Sequence, residues 1–306
     1  MNSPTVAIIA NPMAGNGRAR KIAMSAQQAI AAKGIATTLH QPTSLKELQQ
    51  ISLEVCAQES SVVLACGGDG TVHQVLQAVI PAGVIFGIIP AGTGNDIAWS
   101  LGFTRKANTA LFDQLADSIH GNQSSMIDAS LITHDEEQIW SLGVISAGFD
   151  SAINERANRM TFGRGTTRYI VALLAEMRPF KLHHYEVVMD DKRLSSSALL
   201  IAVGNGGCYG GGMRICPNAS MTDGLLDITW VDKAPRRTIL RIFPKIFSGR
   251  HVEHKLVHTY QAKKISIDSP DSMIYADGER IGPPPVTIEV IPQAIRVVAG
   301  VQQRPD

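Results

Sequence analysis

An α/β N-terminal domain with a mostly parallel sheet, followed by a C-terminal antiparallel β-sandwich domain, is the fold class this sequence predicts. Three observations lead there. Short β-branched runs alternate with amphipathic helical stretches through the first third of the chain. Beyond about residue 125, short strands crowd together with few long helices between them. The 306 residues also exceed the ~100–200 residues of an ordinary domain. The expected boundaries are 1–125 and 126–291, with a tail at about 292–306 returning to the first domain.

The runs TVAIIA at 5–10, IATTLH at 35–40, SVVLA at 61–65 and IFGII at 85–89 read as buried strands. Between them, residues 17–33 place Ile22, Met24, Ala26, Ala29 and Ile30 at helical spacing, and 44–58 do the same with Leu45, Leu48, Ile51 and Val55. Strand, helix, strand in that order implies right-handed crossovers and parallel pairing. From SMIDASLI onward come QIWSLGVISA, YEVVMD, SALLIAV, LLDITWV, LVHTYQA, KISID, MIYAD, VTIEVI and AIRVVAG, interrupted by helical stretches near 165–178 and 235–248. That density of short strands predicts the sandwich.

Composition narrows the function. Apolar residues are 44% and charged ones 18% of the chain, enough for a core and without a disorder signature. Twenty-eight basic against twenty-seven acidic side chains give a net charge of +1, which excludes a global footprint for nucleic acid. Cys56, Cys66, Cys208 and Cys216 show no CxxC spacing, so neither a zinc ribbon nor a redox pair is indicated, and a reducing compartment is expected. The histidines His183, His184, His251, His254 and His258 lack a completing carboxylate or thiol at ligand spacing. No basic n-region precedes the short apolar run ending at Asn11-Pro12, and nothing approaches the ~18 apolar residues of a spanning helix. The expectation is a cytoplasmic protein whose membrane contact, if any, is peripheral, at the inner face of the membrane; oligomeric state is unreadable.

In an open parallel sheet, ligands sit beyond the carboxyl ends of the strands. Three glycine-bearing loops fall there: Asn11-Pro12-Met13-Ala14-Gly15 after the first strand, Gly67-Gly68-Asp69-Gly70-Thr71 after the third, and Pro90-Ala91-Gly92-Thr93-Gly94-Asn95-Asp96 after the fourth. Glycine lets backbone N–H groups approach a phosphate, and a following helix adds its positive end. Aspartates would repel bare phosphate, but suit a Mg²⁺ ion bridging carboxylate to phosphate oxygens. Neither GxxxxGK[ST] nor GxGxxG follows the first strand, so this is another nucleotide-binding solution.

The pair GGDGT and PAGTGND resembles the catalytic domain of the diacylglycerol kinase family, in particular its soluble bacterial lipid kinases. Gly148-Phe149-Asp150, the segment 205–217, Asp223-Gly224-Leu225 and Asp277-Gly278-Glu279 match in order, so the resemblance spans almost the whole chain. It implies an ATP-dependent lipid kinase with an NAD kinase/diacylglycerol kinase-like fold, acting on a membrane-derived lipid alcohol such as a diacylglycerol-like, phosphatidylglycerol or sphingoid acceptor. By the same resemblance Asn11, Pro12, Gly15, Thr43, the loop Gly67, Gly68, Asp69, Gly70, Thr71, Val72 and His73, and Thr93, Asn95 and Asp96 would serve nucleotide, with Asp69 and Asp96 near Mg²⁺. Glu279 would take the proton of the acceptor hydroxyl, with Asp69 as its catalytic companion. A second, structural Mg²⁺ would be held by Asp223 and the carbonyls of Ser220 and Leu225; a plain hairpin turn explains that stretch as well.

Other readings stay open at this level. Asp277 shares a face with Glu279 if the segment is extended, or is simply the first residue of an Asp-Gly turn. The run at 204–212, with six glycines in nine positions, reads as a flexible cleft wall or as a close backbone approach, the former being favoured. The basic stretch around Arg236–Phe247 suits an interfacial helix or one packed on the β domain. His73-Gln74 replaces the Asn-Glu usual in relatives, which leaves room for a non-catalytic nucleotide or lipid sensor. An NAD kinase acting on a ribose hydroxyl also carries a GGDGT loop.

Overall fold

The computed structural model describes residues 4–58, 62–148 and 182–298, with six isolated positions between 149 and 181. Phe149, Asp150 and most of the helical stretch expected at 165–178 lie outside the described residues. The chain forms two compact units, Met1–Asp128 with Pro292–Asp306, and Ala129–Ile291.

In the first unit β1 (Thr5–Ala10), β2 (Ala36–His40), β3 (Val62–Gly67) and β4 (Ile85–Pro90) alternate with α1 (Arg18–Ala32), α2 (Leu45–Ala57) and α3 (Asp69–Ala82). All pairings are parallel, in the order β2-β1-β3-β4, and the end of β15 (Val286–Val298) extends the sheet through Val297 beside Phe86. β3 is buried along its whole length and β1 after its first residue, as expected of strands covered on both faces. Right-handed crossovers put α1 on one face and α2 with α3 on the other. The strand order reverses between β1 and β3, so the loops leaving these two strands flank the switch point where such sheets bind ligands. α4 (Asp96–Ser100) and α5 (Thr109–His120) complete the unit, α5 packing on α1.

Local signals fix the helix ends. Ser44 caps α2 by accepting from Glu47 N–H at 3.2 Å, while the Glu47 carboxylate reaches back to the Thr43 N–H and hydroxyl, both 2.7 Å, an S-x-x-E capping box displaced by one residue. Asn108 caps α5 through Leu111 N–H at 2.9 Å. Gly83, at φ 66°, closes α3 in the left-handed conformation.

The second unit is antiparallel. Its sheet runs β14 (Glu279–Gly282), β13 (Ile274–Ala276), β7 (Val144–Gly148), β9 (Lys192–Gly204), β8 (His183–Met189), β12 (Lys264–Asp268) and the start of β15. β9 pairs β8 along its first half and β7 along its second, where β10 (Leu226–Asp232) also joins it and carries β11 (Val257–Ala262). β5 (Ser124–His134) and β6 (Glu137–Ser141) form a hairpin. One core gathers around Trp230 and Tyr185, edge-to-face at 6.1 Å. A second core lies where α6 (Arg236–Ile246) sets Ile239 against residues such as Leu199, Leu200 and Val231. The expected helix at 235–248 is therefore this α6. Among the described residues no helix is long and apolar enough to cross a membrane.

The first part of the glycine run is closely packed rather than the flexible wall favoured from sequence. A Cβ on Gly204 would meet the Gly206 carbonyl at 2.6 Å and Cys216 at 2.9 Å, and one on Gly207 would meet the Cys216 carbonyl at 2.9 Å. Asn205 is wholly buried, its N–H on the Gly143 carbonyl at 3.1 Å.

Candidate active site

The three loops after β1, β3 and β4 touch one another. Asn11 N–H donates to the Cys66 carbonyl at 3.1 Å, and its amide reaches the Thr71 hydroxyl at 3.3 Å. The Gly67 carbonyl accepts from both Ala91 N–H at 2.8 Å and Gly92 N–H at 3.1 Å. Gly68 and Gly92 pack backbone on backbone, and Gly15, at φ 59°, is seated directly against the Ala91 carbonyl. Only glycine permits these approaches, so the loops form one continuous surface of backbone at the sheet's carboxyl edge.

The polar side chains divide into those that build this surface and those left facing outward. Asn95, at φ 56°, is a latch: its Oδ1 accepts from Gly92 N–H at 3.0 Å, and its amide donates to the Gly92 carbonyl at 3.1 Å and the Arg105 carbonyl at 2.7 Å. Asp96 is 5% exposed and pairs with the Arg105 guanidinium, which also donates to the Gly94 carbonyl at 2.9 Å and lies 4.8 Å from the Trp99 ring centroid. Asp69, the first residue of α3, accepts Ile97 N–H on Oδ1 at 3.0 Å and so ties α3 to α4. Thr71 and His73 are buried in the first turns of α3, as is Val72, whereas Thr93 at the tip of the third loop is exposed. Pro12 and Gly70 are half-buried.

Thr43 is exposed, and its hydroxyl serves the α2 cap. Gln74 accepts from the Gln49 amide at 2.9 Å and helps join α2 to α3. Cysteine chemistry is disfavoured here, because burial pushes the Cys66 thiol up to about 12.

In the second unit, Glu279 opens β14 directly after the turn Asp277-Gly278, whose φ values are 53° and 85°. Asp277 is therefore not extended, and does not share a strand face with Glu279. Its Oδ1 accepts from Gly143 N–H at 2.8 Å and Ser141 Oγ at 3.0 Å, and its N–H donates to the Val144 carbonyl at 3.2 Å. These bonds anchor the hairpin that presents Glu279, which is half-buried.

At the expected metal turn, Asp223 Oδ1 accepts Leu225 N–H at 3.0 Å, and Ser220 Oγ lies 3.2 Å from the Thr222 hydroxyl. Burial pushes the Asp227 carboxyl up, and the neighbouring Asp223 charge adds to it. No cluster of three or more His, Cys, Asp or Glu suited to a metal occurs among the described residues. Mg²⁺ suits sparse protein ligation all the same, since it keeps several waters and takes one or two carboxylates beside substrate phosphates. Asp69 at the loop surface fits that donor set better than Asp96, which Arg105 already engages.

Comparison with known proteins agrees over both units. Residues 5–130 match the model of the diacylglycerol kinase catalytic domain, and 143–299 that of the YegS C-terminal NAD kinase beta sandwich-like domain. A protein of Mycobacterium tuberculosis named "Diacylglycerol kinase" is 36% identical over 96% of this chain and 94% of its own length. One of Pectobacterium atrosepticum named "Probable lipid kinase YegS-like" is 31% identical over 76% of each. A crystal structure from Bacillus anthracis str. Sterne superposes with a TM-score of 0.77 at 21% identity, covering 97% of this chain and 95% of that one, and shares the fold.

Proposed function

The chain belongs to the diacylglycerol kinase catalytic-domain family, and from that premise we propose that it transfers the γ-phosphoryl group of ATP, with Mg²⁺, to the hydroxyl of a membrane-derived lipid. It is a lipid kinase, a phosphotransferase with an alcohol group as acceptor. The observation that carries the nucleotide assignment is the direct contact of three glycine loops at the switch point, ending on the N-terminus of α3. Backbone N–H groups and the helix end favour a polyphosphate there without a lysine-bearing P-loop.

In this reading Gly15, Gly67, Gly68 and Gly70 give the phosphates access to backbone, and Asn11 and Thr71 hold the first two loops at fixed separation. Thr93, exposed at its loop tip, contacts nucleotide directly; Asn95 and Asp96 act by holding that loop in shape. Asp69 directs its carboxylate toward the metal-bound phosphates while Ile97 N–H fixes its rotamer. Mg²⁺, when bound, neutralises charge developing on the transferred group. Glu279 accepts the proton as the lipid oxygen attacks phosphorus, a role worth ~10²–10⁴-fold in rate. The Asp223 turn, with the Ser220 and Leu225 carbonyls, is the proposed second Mg²⁺ site; its support is the turn itself, in which the Asp223 carboxylate accepts Leu225 N–H at 3.0 Å and so sits beside that backbone.

The test is transfer of label from γ-labelled ATP into a lipid extract, with the product identified by mass spectrometry. Asp69→Asn keeps an acceptor for Ile97 N–H, so it should fold normally yet lose about 100-fold or more in rate, and Glu279→Gln should behave likewise. Supplied NAD should remain unphosphorylated. Absence of labelled product across diacylglycerol, phosphatidylglycerol, sphingoid and polyprenol acceptors, or conversion of NAD to NADP, would overturn the assignment.

A further inference from the structure

The outward face of α6 is built unlike the rest of the surface. From Lys233 to Val252 the chain has six basic residues and no acidic one, although the whole protein carries a net charge of only +1. Ile239 and Ile242 turn inward. The opposite side of the helix carries Arg237, Arg241 and Lys245 together with Leu240, 46% exposed, and beyond its end Phe247, 38% exposed. The acids that flank this stretch in sequence are engaged: Glu253 with Arg250, at 3.1 and 3.3 Å, and Asp232 with His258 at 2.8 Å and the Trp230 indole at 2.9 Å.

A helix that only covered a core would be apolar inside and mixed in charge outside. This one has a second apolar edge facing water, with Arg237, Arg241 and Lys245 beside it. Phe247 stands edge-to-face on Phe243 at 5.9 Å, and Phe243 lines a small apolar pocket beneath the helix, walled by Leu199, Leu200, Val231, Ile239 and Ile242. Apolar surface thus continues from the exposed edge to the hollow behind it. A nucleic acid would offer the cations phosphates but give Leu240 and Phe247 nothing to bury against; a bilayer interface with anionic headgroups serves both.

We propose that α6, with Phe247 after it, is the docking element by which this protein holds an anionic lipid surface. The proposal rests on the lipid-kinase reading only for its purpose; the binding itself is independent of turnover.

Flotation of the full chain with phosphatidylcholine vesicles, with and without phosphatidylglycerol, tests it. Wild type is expected to float with the anionic vesicles, and to be released as salt is raised. Arg237→Glu with Arg241→Glu should weaken that partition by about tenfold or more, and Leu240→Ser with Phe247→Ser should also lower it, each variant keeping the wild-type melting temperature and its rate on a short-chain acceptor in solution. Failure of the wild type to float, equal flotation of the variants, or a change of oligomeric state as the sole effect of the substitutions would overturn the docking role. Absence of phosphoryl transfer to any acceptor with vesicle binding intact would instead overturn the kinase reading alone.

Discussion

Alanine at position 92 tests whether the contact between the second and third loops is what shapes the nucleotide surface. A Cβ there would lie 2.8 Å from Asn95 Oδ1 and 3.1 Å from Gly68 N, and closer still to the Gly68 Cα. The last two are backbone atoms that cannot rotate away, so the loops must separate by about 1 Å to restore ordinary contact. Overpacking of this kind costs ~1–3 kcal/mol, and loss of the Asn95 bond to Gly92 N–H adds ~1 kcal/mol. Together these lower the melting temperature by roughly 5–15 °C, and a 1 Å displacement of a positioning element costs ~100-fold in turnover. Gly68→Ala meets the same neighbour more gently, with Gly92 Cα at 3.2 Å and its own φ at −97°, and should cost under ~1 kcal/mol. Thermal melting and kcat measure both variants. Wild-type melting and kcat in Gly92→Ala, or a harsher effect from Gly68→Ala, would refute the reasoning.

Arg105→Ala removes the guanidinium from beside the buried Asp96 carboxylate, and should destabilise by about 3 kcal/mol in urea unfolding; Arg105→Lys, lacking the planar stack on Trp99, should recover part of that. Asp277→Ala takes the acceptor from Gly143 N–H and Ser141 Oγ, costing ~1–3 kcal/mol and lowering kcat with KM for ATP unchanged, while Asp277→Asn, which keeps an acceptor oxygen, should restore both. Burial pushes His251 below its ordinary value near 6.5, although its bond to the Ile215 carbonyl opposes this. Protons therefore bind the unfolded chain more readily than the folded one. Stability is fully present above about pH 6.5 and declines as pH falls below it, and His251→Gln should flatten that slope in melting curves between about pH 5 and 6.5.

Elements whose signal is local could be read from sequence, and those whose partners lie far along the chain could not. The run at 5–10 is β1, the run at 85–89 is β4 less its final residue, and the helical stretch at 235–248 is α6, because continuous apolar runs and helical periodicity are properties of the segment itself. α5 carries a local signal too, since Asn108 before an amphipathic stretch is a cap. The capping box at Ser44 and Glu47 is a signal of the same kind, and it also engages the Thr43 hydroxyl. Arg105 had no signal, since nothing in its own segment tells that it reaches Asp96. Asp277 was illegible for the same reason: its acceptor role depends on residues about 135 positions earlier, and its positive φ breaks the alternation that an extended reading assumes. The dense glycine run carried two opposite meanings, and only the position of Cys216 decides between them.

The last pairing of the parallel sheet, Val297 beside Phe86, has a bearing on biosynthesis. On the ribosome, β4 emerges some two hundred residues before its outer neighbour, and throughout that interval it is a bare edge able to recruit a stray strand. A nascent chain stalled midway would present that edge to aggregation or chaperones. An N-terminal fragment meant to bind nucleotide should therefore be expressed with the 292–298 segment grafted onto it.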